Sequence, residues 1–428
     1  MTVVAQTPPM GWNSWDCYGA AVTEDTVRRN AEYMAQILKP YGWEYIVVDI
    51  QWAQPTAVNH SYEPFSDMTM DAFGRLTPAV NRFPSAADGA GFKPLADCIH
   101  SLGLKFGIHI MRGMPRMAAH RHLPIEGSPY FCHTAADPNS ICAWNPDMYG
   151  LRCGTEDAAA YYRSIFRLYA SWGVDFVKVD DIAVTEFRPD KLYSAKAEIE
   201  LIRRAIDRCG REMVLSLSPG PARTQDAFHL SQHANMWRMT GDFWDHWDKL
   251  YAMFEKCELW NPFRAVGCWP DCDMLPLGRL CKNASYAGAK DRPTNFTPAE
   301  QRTMLTLWCM FRSPLMLGGE LRDNTPWDLS LITNDDVLSL NRDSTDNRQL
   351  LRDRHTALWA CKDALGRDTL ALFNLSDEKR TVSVDLTPYG FSKDYQTREL
   401  WTKAEGTVAG GVLSAALDAH DCLLVRLL

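Results

Sequence analysis

Val174-Asp175-Phe176-Val177-Lys178-Val179-Asp180-Asp181 is an apolar, β-branched run that ends in a lysine and two carboxylates. Such residues favour an extended strand. Alternation puts Lys178 and Asp180 on one face and Asp181 on the other. Charged groups in what should be a buried layer need a reason. Two stand open: a Lys/Asp pair that closes the rim of a barrel, or a reactive site of the kind that β/α barrels build at the C-terminal ends of their strands.

Similar runs at residues 10–15, 43–51, 104–111, 213–219, 235–241, 263–269 and 313–318 bring the strand candidates to eight. Helical periodicity fills the gaps. After the first strand, Thr23-Glu24-Asp25 supplies an N-cap with acids in the first turn, Val27, Met34 and Leu38 mark an inner face, and Lys39-Pro40 stops the helix. Residues 158–171, 194–207, 245–256 and 298–310 repeat the pattern. Alternating strand and helix predict a parallel sheet, and eight such units close economically into a (β/α)8 TIM barrel. Past Asn341-Arg342-Asp343 the pattern changes to short strands and turns, at 357–361, 369–374, 381–385 and 422–427, which predicts a small antiparallel β-sandwich. The expected fold is thus an α/β barrel over residues 1–343 and a C-terminal β-sandwich over 344–428, for which 428 residues suffice. The stretch 112–152 is too long for a plain connection and predicts a functional lid or wall.

Apolar residues make up 46% and charged residues 23%, with no uncharged apolar stretch of about 18 residues, which excludes a transmembrane span. Lys and Arg total 45 against 53 Asp and Glu, a formal charge of −8 without long runs of one sign, which argues against nucleic acid or other polyanionic partners. A homo-oligomer stays open. Residues 1–9 lack the basic and apolar regions of a secretory signal, and 13 scattered cysteines, an odd number, suit a reducing compartment; a cytoplasmic protein is expected. Cys132, Cys142 and Cys153 lie near His109, His120, His122 and His133 in sequence, but no CxxC or HExxH spacing orders them for zinc. Neither a metal nor another cofactor is expected.

Two further strand ends carry carboxylates, in Trp237-Arg238-Met239-Thr240-Gly241-Asp242 and in Trp269-Pro270-Asp271-Cys272-Asp273-Met274. Glycoside hydrolysis uses such a gathering: one carboxylate attacks the anomeric carbon and one acid protonates the leaving oxygen, about 5–5.5 Å apart in a retaining enzyme. Lys178 would keep Asp180 ionised, and an apolar surround would favour the neutral form of its partner. Arg238 beside Asp242 favours the charged form, unless it holds a sugar hydroxyl instead. Indole faces of Trp12, Trp52, Trp144 and Trp269 offer platforms for a sugar ring, although some of the 15 tryptophans must be core. Asp271-Cys272-Asp273 also has the form of a glycosyltransferase DxD metal site, without a nucleotide-binding fingerprint to accompany it. A non-catalytic sugar-binding protein is a further alternative, and it would not need Asp180 and Asp242 together.

Pro9-Met10-Gly11-Trp12-Asn13-Ser14-Trp15, Trp172-Gly173-Val174-Asp175-Phe176-Val177-Lys178-Val179-Asp180, the Trp237-Arg238 to Asp242 segment, Asp271-Cys272-Asp273-Met274-Leu275 and Ser313-Pro314-Leu315-Met316-Leu317-Gly318-Gly319 follow one another as in a known family. Over about residues 8–340 the chain resembles glycoside hydrolase family 27, which includes α-galactosidases, α-N-acetylgalactosaminidases and β-L-arabinopyranosidases. The resemblance implies Asp180 as nucleophile, Asp242 as general acid/base, Lys178 and Arg238 as ligands for sugar hydroxyls, and Trp12 and Asp49 in the sugar pocket. Trp144, Ser218 and Asp273 are expected to join them.

Two departures bear on the substrate. Galactose-specific members carry adjacent aspartates after the second strand, whereas this chain reads Val48-Asp49-Ile50-Gln51-Trp52, and the loop recognising the 2-position reads Ser216-Leu217-Ser218-Pro219-Gly220-Pro221. A pocket built to bond a hydroxyl discriminates strongly, so exchanging a carboxylate for Ile50 should change the sugar. β-L-Arabinopyranose keeps the ring configuration of α-D-galactopyranose but lacks the exocyclic CH₂OH, which leaves space for an isoleucine. The expected substrate is a terminal β-L-arabinopyranoside. The alternative is an α-galactosidase in which Ile50 is an ordinary strand residue and Gln51 or a loop residue replaces the carboxylate.

Overall fold

The computed structural model describes residues 4–182, 195–282, 284 and 290–428. Eight strands, β1 (Met10–Asn13), β2 (Tyr45–Val48), β3 (Lys105–Met111), β4 (Phe176–Asp180), β5 (Val214–Leu217), β6 (Met236–Arg238), β7 (Trp269–Asp271) and β8 (Leu315–Leu317), form one sheet. Their order is β7-β6-β5-β4-β3-β2-β1-β8, with parallel pairing throughout. The chain just past β7 closes the ring: Leu275 bridges Leu317, and its amide donates to the Met316 carbonyl at 2.8 Å. Helices α1 (Glu24–Tyr33), α2 (Lys93–Ser101), α3 (Glu156–Trp172), α4 (Lys196–Arg208), α5 (Ala227–His233), α6 (Trp247–Trp260), α7 (Pro298–Phe311) and α8 (Asp335–Asp343) follow the strands in turn. This is the TIM barrel that the alternation predicts.

Local chemistry sets the element ends. A capping box starts α7, where the Thr297 side chain accepts from the Glu300 amide and the Glu300 carboxylate accepts from the Thr297 amide. Gly173, at φ 84°, takes the left-handed conformation that ends α3 and turns the chain into β4. α1 begins after Thr23, and Val27, Met34 and Leu38 are fully buried beneath it and its continuation. β2 is buried at all four residues, because helices cover one face and the barrel interior the other.

One strand candidate is displaced. Within 263–269, Asn261–Phe263 ends a 3₁₀ turn, Ala265 pairs with Cys268 around Gly267 at φ 81°, and the strand begins only at Trp269. Phe263 and Val266, which suggested a strand, are partly exposed there at 38% and 59%. β1 also ends early, at Asn13, and Trp15–Tyr18 is a helical turn. Ser194, expected to open the helical segment 194–207, lies outside the described residues. The 112–152 stretch contains a small antiparallel sheet of Met114–Pro115, Ala136–Ile141 and Met148–Leu151.

After α8 come β9 (Thr345–Arg352), β10 (Thr356–Lys362), β11 (Asp368–Asn374), β12 (Arg380–Asp385), β13 (Tyr395–Glu399), β14 (Glu405–Val408), β15 (Val412–Leu417) and β16 (Cys422–Leu427). A six-stranded antiparallel sheet, β9-β10-β11-β16-β13-β14, stands with the β12–β15 pair. Leu358, Ala360, Leu370 and Leu372 point to Val382, Val384 and Leu413 in the sandwich core. The alternate residues Ala357, Trp359, Ala371 and Phe373 join the barrel's core, with Phe373 4.9 Å from Phe254 of α6. Among the described residues, no helix is long and apolar enough to cross a membrane.

Candidate active site

A cavity of about 220 Å³ opens at the C-terminal ends of the barrel strands. That is below the roughly 300–1,000 Å³ of sites for drug-sized ligands and suits one small ring. Asp49, Ile50, Trp144, Lys178, Asp180, Ser218, Arg238, Asp242 and Asp273, all expected from the sequence, line it. Trp12 does not. Its strand ends one residue later, so alternation sends the indole into the core, where it is fully buried and donates to the Gly319 carbonyl at 2.8 Å. Trp15, on the helical turn beyond, lines the cavity in its place. Trp52 and Trp269 are likewise core residues, their indoles donating to the carbonyls of His109 and Ala5 at 2.7 and 2.8 Å.

Asp180 ends β4, paired with β3 so that Met111 stands opposite it and His109 opposite Lys178. The His109 Nε2–H donates to Asp180 Oδ2 at 2.9 Å, and the Asp181 amide donates to Oδ1 at 2.8 Å. Burial opposes the charge of Asp180. The His109 bond, the charges of His109 and Lys178 and the Asp181 amide outweigh it and hold the carboxyl below the usual carboxylate range. Lys178 itself is bonded elsewhere: its Nζ donates to Asp49 Oδ2 at 3.0 Å. The sequence credits Lys178 with keeping Asp180 ionised, whereas His109 is the bonded group and Lys178 acts only through its charge. Asp49 also accepts from Asn13 Nδ2 at 2.7 Å, and the Lys178 charge leads the effects that hold it low against burial. Asp181 turns away, as alternation requires, onto Arg112 at 2.8 Å.

The opposite wall is built around Arg238 at the end of β6. One of its terminal nitrogens reaches Asp242 Oδ1 and the other Asp273 Oδ1, both at 2.8 Å. The guanidinium that could have held a sugar hydroxyl therefore spans two carboxylates. The Asp242 side chain is 68% exposed, so the expected apolar surround is limited to its cavity neighbours Phe243 and Trp244. Asp273 also accepts from the Phe243 amide at 2.7 Å. Burial and the Asp273 charge push Asp271 up to about 7. Asp271 and Asp273 are both buried and Asp273 is already paired with a guanidinium, so the two do not present the open pair of carboxylates that a DxD cation site uses. Ser218 faces the cavity from the turn after β5.

Ile50 follows Asp49 where β2 has ended, and both side chains face the cavity. Ile50 is 5% exposed and packs in an apolar cluster with Met111, Cys142 and Met148. Gln51 does not take over the missing carboxylate's role: its amide points to Asp147 at 3.5 Å and lines a separate small cavity behind Ile50.

Several cavity residues escape a reading of the sequence. Tyr62 stacks on Trp15 with centroids 5.5 Å apart and planes at 10°, and it lies in a long loop without periodicity. Asp16 is a buried carboxyl pushed well up by burial and by Asp273. His109 had a signal: a titratable residue inside the apolar run Phe106-Gly107-Ile108-His109-Ile110-Met111, two residues from the strand end. The other histidines of that region disperse, His120 onto the Tyr149 hydroxyl at 3.1 Å and His122 stacked on His133 at 4.1 Å.

Residues 147–343 match the family model described as "Alpha galactosidase A", and residues 353–427 match the "Alpha galactosidase C-terminal beta sandwich domain". A GH27 β-L-arabinopyranosidase from Geobacillus stearothermophilus is 55% identical, with a TM-score of 0.95 over 99% of this chain and 96% of that one. The chain belongs to glycoside hydrolase family 27. A second structure of the Geobacillus enzyme, an Asp-to-Ala variant in complex with arabinose, is 54% identical with a TM-score of 0.95, over 99% of this chain and 97% of that one. An α-galactosidase from Cyamopsis tetragonoloba is 26% identical over 98% of this chain and 85% of its own length. In this family 27 glycoside hydrolase, Asp180, held by hydrogen bonds, and Asp242, largely exposed, line one cavity.

Proposed function

We propose that this family 27 hydrolase releases terminal β-L-arabinopyranosyl residues with retention of configuration. Asp180 attacks the anomeric carbon as the bond to the leaving oxygen breaks, and Asp242 gives that oxygen its proton. Asp242 then takes a proton from water, whose oxygen attacks the anomeric carbon and frees Asp180. Lys178, Asp49 and Ser218 bond ring hydroxyls, Arg238 and Asp273 position Asp242, and Trp144 with Trp15 gives the ring an apolar wall.

The observation that carries the sugar assignment is Ile50 in the cavity wall beside Asp49, backed by methionines. A ring carbon bearing only hydrogens makes a favourable apolar contact there. A CH₂OH would clash and lose its hydrogen bond. The 55% identity to a protein described as a β-L-arabinopyranosidase supports the same reading. α-Galactosidase activity is the second reading, favoured by the names of the more distant relatives. Hydrolysis of the nitrophenyl α-D-galactoside, β-L-arabinopyranoside and α-N-acetylgalactosaminide distinguishes them: kcat/KM should be highest on the arabinopyranoside, and a preference for the galactoside overturns the proposal.

A further inference from the structure

Away from the cavity, α4 and α5 bring Glu200, His229 and His233 together, with one ligating atom of each within 4.8 Å of the others. His229 and His233 are four residues apart on one helix and therefore share a face. Their rings stack with centroids 4.1 Å apart and planes at 24°. Glu200 reaches across from α4 and places Oε1 3.1 Å from His229 Nε2. That is a hydrogen bond in the metal-free protein; two ligands bound tetrahedrally to one zinc ion stand about 3.3 Å apart, so an ion replaces the shared proton with little movement of Glu200 and His229, while the stacked His233 ring turns to aim at the same point. His233 is oriented as metal-binding histidines are: its Nδ1 lies 2.8 Å from the His229 carbonyl oxygen. A carbonyl can only accept, so the proton is on Nδ1 and the Nε2 lone pair is left for a ligand. The His229 side chain is 11% exposed and that of Glu200 37%, which shelters the group yet leaves it reachable.

We propose that Glu200, His229 and His233 bind a divalent transition-metal ion of the zinc class, with water completing the coordination. Two imidazoles and a carboxylate are borderline ligands that suit Zn²⁺ and not Ca²⁺ or Mg²⁺. α4 follows the strand that ends in Asp180, and α5 precedes the strand that ends in Arg238. An ion here staples the two helices flanking β5, so its effect is on stability and not on the chemistry.

The test uses the full-length protein freed of metal by chelator dialysis and titrated with Zn²⁺ and, separately, Co²⁺. Wild type should bind one Zn²⁺ per chain and melt at a higher temperature with the ion present. Cobalt should give visible bands of a four-coordinate N/O site without thiolate charge-transfer absorption. Glu200→Gln and His233→Ala should each weaken binding by about tenfold or more and abolish the thermal shift, with hydrolysis of the preferred glycoside unchanged as evidence of folding. Equal binding and equal thermal shift in wild type and Glu200→Gln, a thiolate spectrum, or no saturable binding would each overturn the proposal.

Discussion

Exchanging Ile50 for aspartate should move this enzyme from pentose towards hexose. Asp49 next door already takes the Lys178 charge, at 3.0 Å, and accepts from the Asn13 amide, at 2.7 Å, so a second carboxylate beside it gains no cation of its own. The buried members of the Ile50 cluster are Met111, Cys142 and Met148, none of which is a strong donor, and Trp15, Tyr62 and Trp144 pack at its edge. With an arabinopyranoside bound, the new carboxylate lacks the partner that a sugar hydroxyl supplies, a penalty of about 1–3 kcal/mol; with a galactoside, the CH₂OH hydroxyl donates to it. The galactoside-to-arabinopyranoside ratio of kcat/KM should therefore rise by about 10- to 100-fold, or about 1.4–2.8 kcal/mol. A carboxylate in this cluster also lowers stability, but both substrates are measured on the same preparation, so the ratio does not depend on the folded fraction. The assay is nitrophenol release from both glycosides, with a thermal melt alongside. A folded variant whose ratio stays put or moves towards arabinose would refute Ile50 as the selector.

Loss of the His109 bond to Asp180 should show in the pH profile. His109→Phe lets burial dominate, raises the pKa of Asp180 and moves the acid limb of kcat/KM to higher pH, with partial rescue by His109→Gln; an unmoved limb would count against the pairing. Asp242→Ala should slow cleavage of an alkyl glycoside far more than of a dinitrophenyl glycoside, whose leaving group needs no proton, and equal losses would point to binding instead. Asp271, pushed up to about 7 from an unfolded value of 3.8, keeps a proton in the fold that the unfolded chain has released. Stability should consequently fall by an order of a few kcal/mol as pH rises across that window, and Asp271→Asn should flatten the fall in urea titrations at pH 5 and 8; identical slopes would contradict it.

The barrel was legible because its signal is redundant. Strands buried on both faces must read as apolar runs, and eight of them alternate with helical periods. Phe263 and Val266 show the limit: exposed apolar residues next to a true strand extend the pattern without extending the strand. The carboxylates were legible for a different reason, since Asp180 and Asp242 break or end apolar runs where nothing structural requires them. Trp12 and Trp15 differ only in whether the strand ends before or after one residue, and a sequence does not fix that boundary. His109 acts through a hydrogen bond to a neighbouring strand, so its role depends on the register between β3 and β4. The fork that Arg238 makes between Asp242 and Asp273 joins two separate strand ends and is visible only once the sheet is assembled.

The central claim is that hydrolysis passes through a covalent arabinosyl ester on Asp180. Incubating the enzyme with a 2-fluoro-arabinopyranosyl donor bearing a good leaving group slows release of the sugar, and peptide mass mapping locates it. The account predicts one fluorosugar per chain on the peptide containing Asp180, with fragment ions that place it on that residue. A label on Asp181 or Asp49, or no label while the donor is still turned over, would contradict it.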